Sequence, residues 1–294
     1  MSAAGPLVTV GVPFRDEERY LEAAVRSVLA QTWTNLEVLL VDDGSTDRSL
    51  EIARGLRDER ITVISDGRRR HLPARLNEIT ARARGELVAR MDADDVAHPD
   101  RIRREIEALE AGGAGCVAAG TWAAVIDAGG ALFAVLEASL PASSASALER
   151  GVFPHATLLA RREWLLANPY DEGLTRAEDR DLWCRTVATS RFAIVPEPLY
   201  VVRAVTAHST FLPDYLESQR QNRILFARYG PRAVGRARTW RACAASFAKA
   251  AVMRAAVELG VADALVRRRG RPPTAAERRL VDEALATAGA PPVR

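Results

Sequence analysis

Lysine is all but missing from this sequence: of its 41 basic residues, Lys249 alone is not arginine. Cysteine is nearly as scarce. Cys116, Cys184 and Cys243 are odd in number, far apart and outside any CxxC, so neither a disulfide framework nor a thiolate zinc site is expected, and a reducing compartment suits the chain. There is no HExxH, no GxSxG and no Cys/His constellation, which argues against metalloprotease and serine-hydrolase chemistry. There is no GxGxxG and no GxxxxGK[ST], so a dinucleotide fingerprint and a P-loop are both absent. No apolar run reaches membrane-spanning length; the richest stretch, residues 114–136, is broken by Asp127 and several glycines. The opening MSAAGPLVTVGVPF has no basic leader before an apolar core and does not read as a signal peptide. A soluble, cytoplasmic protein is expected. Without a glycine period or a low-complexity tract, fibrous classes are excluded.

What is present is ordinary globular material. The chain has 294 residues, 48% of them hydrophobic and 27% charged, with a net charge of +3. That length suits one large domain, or one domain with an appendage. The small net charge hides an asymmetry, since from residue 228 onward arginines are dense and acids sparse. Two explanations stay open: a coding bias toward Arg and Ala, or a basic face for anionic lipid or a partner.

The first hundred residues alternate regularly. Apolar runs at Leu7–Val12, Leu36–Val41, Ile61–Ile64 and Leu87–Met91 read as buried strands. Between them, helical spacing is expected through Tyr20–Leu29, Thr46–Leu56 (capped by Ser45 or Thr46) and residues 73–84, then from Pro99 to Ala111. This rhythm predicts an α/β fold with a mostly parallel sheet of βαβ units. Ligands of such sheets bind beyond the carboxyl ends of the strands. Three clusters fall there: Pro13 to Glu17, Asp42-Asp43-Gly44-Ser45, and Asp92-Ala93-Asp94-Asp95. Residues 112–205 mix short strands (116–122, 131–136, 156–160, 192–195, 199–202) with short helices near 143–150, 161–166 and 179–188, as a continuation of the same sheet. From Pro213 the chain reads as helical, broken at Pro272-Pro273, with a frayed tail at Pro291-Pro292.

Each acidic cluster has a plain structural reading beside a chemical one. Asp92-Ala93-Asp94-Asp95 is either a solvated turn before a helix or a place where mutually repelling carboxylates meet a cation. Oxygen ligands would select a hard or borderline divalent ion such as Mg²⁺ or Mn²⁺. Asp42-Asp43-Gly44-Ser45-Thr46-Asp47 reads as a capped strand-to-helix turn. Capping does not explain two adjacent acids closing a buried strand; a carboxylate there can accept a ring N–H such as that of uracil. Glu178-Asp179-Arg180-Asp181 is favoured at a helix start by the macrodipole, or offers a general base. His155 and His208 carry weaker signals.

Taken in order over about residues 7–210, these segments resemble the inverting glycosyltransferases of family 2, with the GT-A fold. The resemblance is carried by Val8-Thr9-Val10-Gly11-Val12-Pro13-Phe14, Arg15-Asp16-Glu17-Glu18, Ser27-Val28-Leu29-Ala30-Gln31-Thr32, Val41-Asp42-Asp43-Gly44-Ser45-Thr46-Asp47, Ala83 to Asp95, Pro154-His155-Ala156-Thr157 and Glu178 to Trp183. It implies a GT-A domain over residues 1–212, with a nucleotide-binding half at 1–111 and an acceptor-binding half at 112–212. A helical C-terminal extension would follow at 213–294. Pro13, Phe14 and Glu17 would line the nucleotide pocket, with Asp42, Asp43 and Asn77 among its contacts and Asp43 on the uracil edge. Asp94 would bind the Mn²⁺ or Mg²⁺, Asp92 would reach the ribose or the metal, and Asp179 would be the catalytic base. Leu76 stands where the family often has Arg, with Arg75 one place earlier. Val205 stands where a His is common, leaving His208 as a further candidate ligand.

The function implied is transfer of a hexose from a UDP-sugar to a saccharide or lipid-linked acceptor, as in surface polysaccharide assembly. Transfer to a small secondary metabolite and a non-catalytic GT-A-like binding protein are the alternatives. For the C-terminal region, packing on the GT-A core, acceptor binding, dimerisation and peripheral contact with the inner face of a membrane through the arginines near 266–271 all stay open. Nucleic acid is not an expected partner, because the arginines come without interleaved aromatics.

Overall fold

The computed structural model describes residues 5–127, 129–204, 211–267 and 270–289. The four apolar runs form β1 (Val8–Phe14), β2 (Leu36–Asp42), β3 (Ile61–Ser65) and β4 (Leu87–Arg90), joined by α1 (Leu21–Leu29), α2 (Ser49–Gly55) and α3 (His71–Arg82). β1 and β2 are buried at every position, as expected of parallel strands covered on both faces. They pair in parallel in the order β3-β2-β1-β4, so their carboxyl ends share one edge.

The chain continues through β5 (Val96–Ala97), α4 (Arg101–Ala111), β6 (Cys116–Ile126), β7 (Leu132–Leu136) and α5 (Ser144–Arg150). A 3₁₀ turn at His155–Thr157, β8 (Leu159–Arg161), α6 (Arg162–Ala167), α7 (Glu178–Thr186) and β9 (Arg191–Arg203) follow. β8 lies antiparallel between β4 and β6, and β9 runs parallel to β6. All of these strands belong to one nine-stranded sheet, so the middle of the chain extends the first half.

Four local expectations are corrected. The strand expected at 156–160 begins at Leu159, because His155–Thr157 winds into a turn closed by the Thr157 hydroxyl on the Pro154 carbonyl (2.8 Å). The segments 192–195 and 199–202 are one strand; its register on β6 shifts near Trp122, opposite Pro196 and Pro198, which have no N–H for the ladder. Residues 96–97, unassigned in the sequence reading, form β5 against β9. Helix α2 starts at Ser49, not Thr46, and neither Ser45 nor Thr46 caps it.

The C-terminal region is helical, with α8 (Phe211–Ala233), α9 (Arg236–Glu258), α10 (Ala262–Val266) and α11 (Ala275–Thr287). It does not stand apart from the sheet. Leu225 of α8 packs with Leu148, Leu174 and Ala177. From α11, Val281, Ala284 and Leu285 close a core cluster with Val96, Ala124, Ile126 and Val201. The chain is brought back to the sheet at Arg271, whose N–H and carbonyl bond Val135 of β7 (3.1 and 2.8 Å). Gly270 permits this approach: its φ is +77°, and a Cβ there would stand 2.5 Å from the Val135 oxygen. Thr274 and Glu277 then form a reciprocal cap for α11. No helix among the described residues is long and apolar enough to cross a membrane.

Candidate active site

The loops after β1 and β2 are laced together. The Asp16 carboxylate accepts the Thr46 N–H (2.7 Å), Ser49 Oγ accepts the Glu17 N–H (2.7 Å), and Asp47 accepts the Glu18 N–H (3.0 Å). Ser45 Oγ accepts the Asp16 N–H (3.2 Å). This is why Ser45 and Thr46 do not cap α2; their polar groups serve the neighbouring loop. The lacing delivers Glu17 to the edge of the sheet.

Glu17 lies within the field of Asp94 and Asp92, which follow the neighbouring strand β4. Burial, then the negative charge of Asp94, Asp47, Asp92 and Asp16, pushes its carboxyl up to about 8. Burial and Asp92 likewise push Asp94 up to about 6, while Arg203 and Arg90 draw it down. Asp95 is buried and accepts the Arg203 N–H (2.9 Å), so it ties the turn to β9. The Tyr200 hydroxyl oxygen accepts the Asp92 N–H (2.9 Å).

Among the described residues no three His, Cys, Asp or Glu side chains form a ready-made metal cage. The excess negative charge shared by Glu17, Asp92 and Asp94 nevertheless suits a divalent cation that takes one or two carboxylates and completes its shell with phosphate oxygens and water. Beyond Arg203, a cleft of about 310 Å³ opens between α1 and α11, with Arg19, Tyr20 and Arg26 in its wall. Arg19 and Arg203 both stack on the Tyr20 ring (5.1 and 4.8 Å).

The remaining candidates are held in different ways. Asp42 is committed to the turn, accepting the Ser45 N–H (2.9 Å) and the Ser65 hydroxyl (2.7 Å). Asp43 Oδ1 accepts the Arg70 N–H (2.6 Å), the His71 N–H (3.1 Å) and Arg75 Nε (3.0 Å). Its Oδ2 accepts only a second branch of the His71 N–H (3.1 Å) among the described residues. Arg75 is fully buried and also reaches Asp66 (2.7 Å) and Glu78 (2.8 Å), so it is the anchor of this corner. Pro13 is buried. Phe14 packs in the main core; its carbonyl accepts the Asp43 N–H (2.8 Å). The amide of Asn77 is spent on the 170–172 segment, with the Tyr170 N–H and carbonyl at 2.9 and 3.0 Å and Glu172 at 3.0 Å. His208 lies outside the described residues.

Asp179 sits half-buried in the first turn of α7. A buried chain of polar groups runs from the acidic turn to this helix. Arg90 donates to Asp92 (2.7 Å) and to Nδ1 of His155. A guanidinium only donates, so Nδ1 is the bare nitrogen, and Nε2–H donates to the Tyr170 hydroxyl oxygen (2.8 Å). Burial, reinforced by Arg90, lowers the His155 pKa to about 3 and keeps the ring neutral. Glu178 Oε1 lies 3.4 Å from Nδ1, and burial raises its pKa. The charges of Asp179 and Asp92 both act on His155, against the effect of burial and Arg90. Trp183, fully buried, packs edge-on against Phe153 (5.2 Å) and Phe192 (5.4 Å) and fixes the rotation of α7. Arg90, Tyr170 and Tyr200 were not singled out from the sequence. For Arg90 a signal existed: it is the one charge in the strand Leu87-Val88-Ala89-Arg90-Met91.

The sheet is mixed, with four parallel and four antiparallel pairings rather than mostly parallel, and the acids lie beyond the carboxyl ends of its parallel strands. Similarity to known proteins defines the class, the glycosyltransferases. Residues 9–131 match the family described as Glycosyl transferase family 2. The sequence is 33% identical over 208 residues to EpsE of Bacillus subtilis (strain 168), named for glycosyltransferase activity, covering 68% of this chain and 74% of EpsE. It is 36% identical over 109 residues to the succinoglycan biosynthesis protein ExoO of Rhizobium meliloti, covering 37% of this chain and 31% of ExoO.

Among solved structures, the mannosyltransferase PcManGT of Pyrobaculum calidifontis, in complex with GDP-Man and Mn²⁺, aligns with a TM-score of 0.59 at 18% identity. That alignment covers 97% of this chain and 86% of PcManGT. S. aureus TarS 1–349 in complex with UDP aligns with a TM-score of 0.56 at 19% identity, over 82% of this chain and 70% of that one. The chain belongs to glycosyltransferase family 2: it is a glycosyltransferase with the GT-A fold and additional C-terminal helices.

Proposed function

We propose that this glycosyltransferase moves a hexose from a UDP-sugar to a hydroxyl of a saccharide or lipid-linked acceptor, in polysaccharide assembly, by a single inverting displacement. The observation that carries the reading is the meeting of Glu17, Asp92 and Asp94 at one sheet edge, with Asp179 across the His155–Arg90 bridge. Asp43, oriented by Arg75, keeps acceptor capacity on Oδ2 for a base N–H. PcManGT is described with GDP-Man and TarS with UDP or UDP-GlcNAc. Both bases carry a ring N–H, so a carboxylate at this position suits either, and UDP is the form we favour.

Asp94 and Asp92 would hold a Mn²⁺ or Mg²⁺ ion, which when bound supplies positive charge to the departing diphosphate. The protein's own work is positional and proton-linked. Arg90 holds Asp92 in place, and Asp95 with Tyr200 fixes the turn that carries Asp94. Asp179 accepts the proton of the acceptor hydroxyl as that oxygen attacks the anomeric carbon from the face opposite the leaving group. The attack is in line, so the configuration inverts. General-base assistance is worth about 10²–10⁴ in rate.

The test is the variant Asp179→Asn assayed with a panel of nucleotide sugars. It should keep donor affinity within about twofold and lose at least about 100-fold in turnover. Full turnover would remove Asp179 from the role of base. A thermal-shift response to GDP-sugars alone would replace the UDP donor, since a ligand at 100 times its Kd stabilises by about 2.7 kcal/mol. No response to any nucleotide would favour the non-catalytic alternative.

A further inference from the structure

Helix α9 is apolar on a face that nothing in the described chain covers. It buries only Thr239, Ser246, Met253 and Ala256 against its neighbours. Trp240 is 75% exposed, Phe247 62% and Leu259, just past the helix end, 75%. At about 100° per residue, Trp240 and Phe247 share one border of a stripe and Val252 and Leu259 the other. Between them lie Ala244, Ala248, Ala251 and Ala255, all exposed. The stripe is about 30 Å long at 1.5 Å per residue. A surface helix normally turns such a face to a core.

The charge around the stripe says what covers it. Residues 228–258 contain seven basic residues and one acid, the exposed Glu258, which lies at the angle of Trp240 about five turns along α9. Arg228 and Arg238 are paired, with Asp171 and Asp181 and with Glu149 respectively. Arg232, Arg236, Arg241, Lys249 and Arg254 meet no carboxylate among the described residues. Four of these five are on α9, where Arg236 and Arg254 fall at the border that Trp240 and Phe247 share, and Arg241 falls at the angle of Leu259, about three turns before Val252. At the foot of Phe247 a cleft of about 590 Å³ opens between α8 and α9, walled by Leu216, Arg220, Arg223 and Arg254. Arg223 stacks on the Phe247 ring (4.1 Å).

We propose that α9 is the docking face of this protein for an anionic lipid bilayer. Trp240 and Phe247 enter the headgroup boundary, the alanines lie flat on it, and the flanking arginines reach lipid phosphates. Each cation near an acidic leaflet adds to binding, and salt screens the attraction. A second copy of the chain is a poor occupant, because a two-fold contact would press these cations against themselves. An acidic protein could match the charge and use the clefts beside Phe247 and Val252; the exposed Trp240, an aromatic with one polar edge that suits a headgroup layer, favours lipid. The inference rests on this surface and not on the reaction. Of the arginines near 266–271, Arg267 pairs with Asp127 and Arg271 with Glu137 and Glu277, while Arg268 and Arg269 lie outside the described residues; the basic contact is placed on the α8–α9 hairpin instead.

The experiment is co-sedimentation of the full chain with phosphatidylcholine vesicles with and without phosphatidylglycerol, at low and high salt. Binding should require phosphatidylglycerol and weaken strongly with salt. Trp240→Ser/Phe247→Ser should weaken it by about tenfold or more, since two exposed aromatic contacts are lost. Arg236→Glu/Arg241→Glu/Arg254→Glu should abolish it. All of these positions are exposed, so an unchanged Tm is expected and is measured alongside. Three results overturn the proposal: no binding to anionic vesicles, binding equal in parent and variants, or a dimer in sedimentation velocity that Trp240→Ser/Phe247→Ser dissolves. Retention on immobilised poly-glutamate without vesicle binding would assign the face to an acidic protein instead.

Discussion

Replacing Arg75 by Met tests the corner that orients Asp43. The guanidinium is fully buried and contacts three carboxylates: Asp43 at 3.0 Å, Asp66 at 2.7 Å and Glu78 at 2.8 Å. Asp66 is 41% exposed, and water takes over when its partner leaves, so that contact adds little. Asp43 and Glu78 are only 12% and 13% exposed and lose the guanidinium between them, although Asp43 keeps the Arg70 and His71 N–H groups and Glu78 keeps Arg82 (3.0 Å) and Arg70 (3.6 Å). Removing one partner of a buried ion pair costs about 3–5 kcal/mol. Because the carboxylates keep some solvent, the low end, about 3 kcal/mol, is expected. For a chain of this size that corresponds to a fall in Tm of about 6–12 °C. Thermal unfolding of Arg75→Met, with Asp66→Asn as comparator, reads it directly. A fall of under about 2 °C, or an equal fall for Asp66→Asn, would refute the reasoning.

Two further predictions follow from local geometry. Gly85→Ala should destabilise by about 1–3 kcal/mol or more, because its Cβ would stand 2.6 Å from the Leu7 oxygen and 2.7 Å from the Thr9 nitrogen, both backbone. Gly55→Ala, with open space around the new methyl, should be neutral or stabilising; equal behaviour of the two in urea unfolding would contradict the packing between β1 and β4. His155 has its pKa lowered from 6.5 to about 3, so the folded state binds fewer protons than the unfolded one across that window. Its neutral-state stability is complete above pH 6.5 and is lost as pH falls. Relative to His155→Gln, the parent should therefore lose up to about 2 kcal/mol between pH 6.5 and 5, and a pH-independent difference between the two would show that the ring is not held neutral.

The strands and helices of the first half were legible in the sequence because buried parallel strands and amphipathic helices write their periods into a few adjacent residues. Gly11 between Val10 and Val12, or Asp42 after Leu40-Val41, can be placed without knowing what lies across the sheet. Where expectation and structure differ, a distant partner decided. Ser45 and Thr46 look like helix caps until the β1–α1 loop claims them. Pro196 and Pro198 look like a strand break until β6 accommodates the gap. Val96-Ala97 is too short to read as a strand until β9 lies beside it.

The same division holds for the site. The local order of acids in Pro13 to Glu17, Asp42-Asp43, Asp92-Ala93-Asp94-Asp95 and Glu178-Asp179 was sufficient for the family. Tertiary structure alone decided that Asp42 and Asn77 spend their polar atoms on the scaffold, that Arg75 holds Asp43, and that Arg90 and His155 join the acidic turn to α7. It also decided that α11 returns to the sheet while α9 keeps an apolar face outside. Side-chain type and spacing are properties of the chain and can be read along it. Which donor meets which acceptor, and which face is covered, depends on groups that can lie more than a hundred residues apart, such as Asp92 and Tyr200 or Val135 and Arg271, and exists only once the sheet has brought them together.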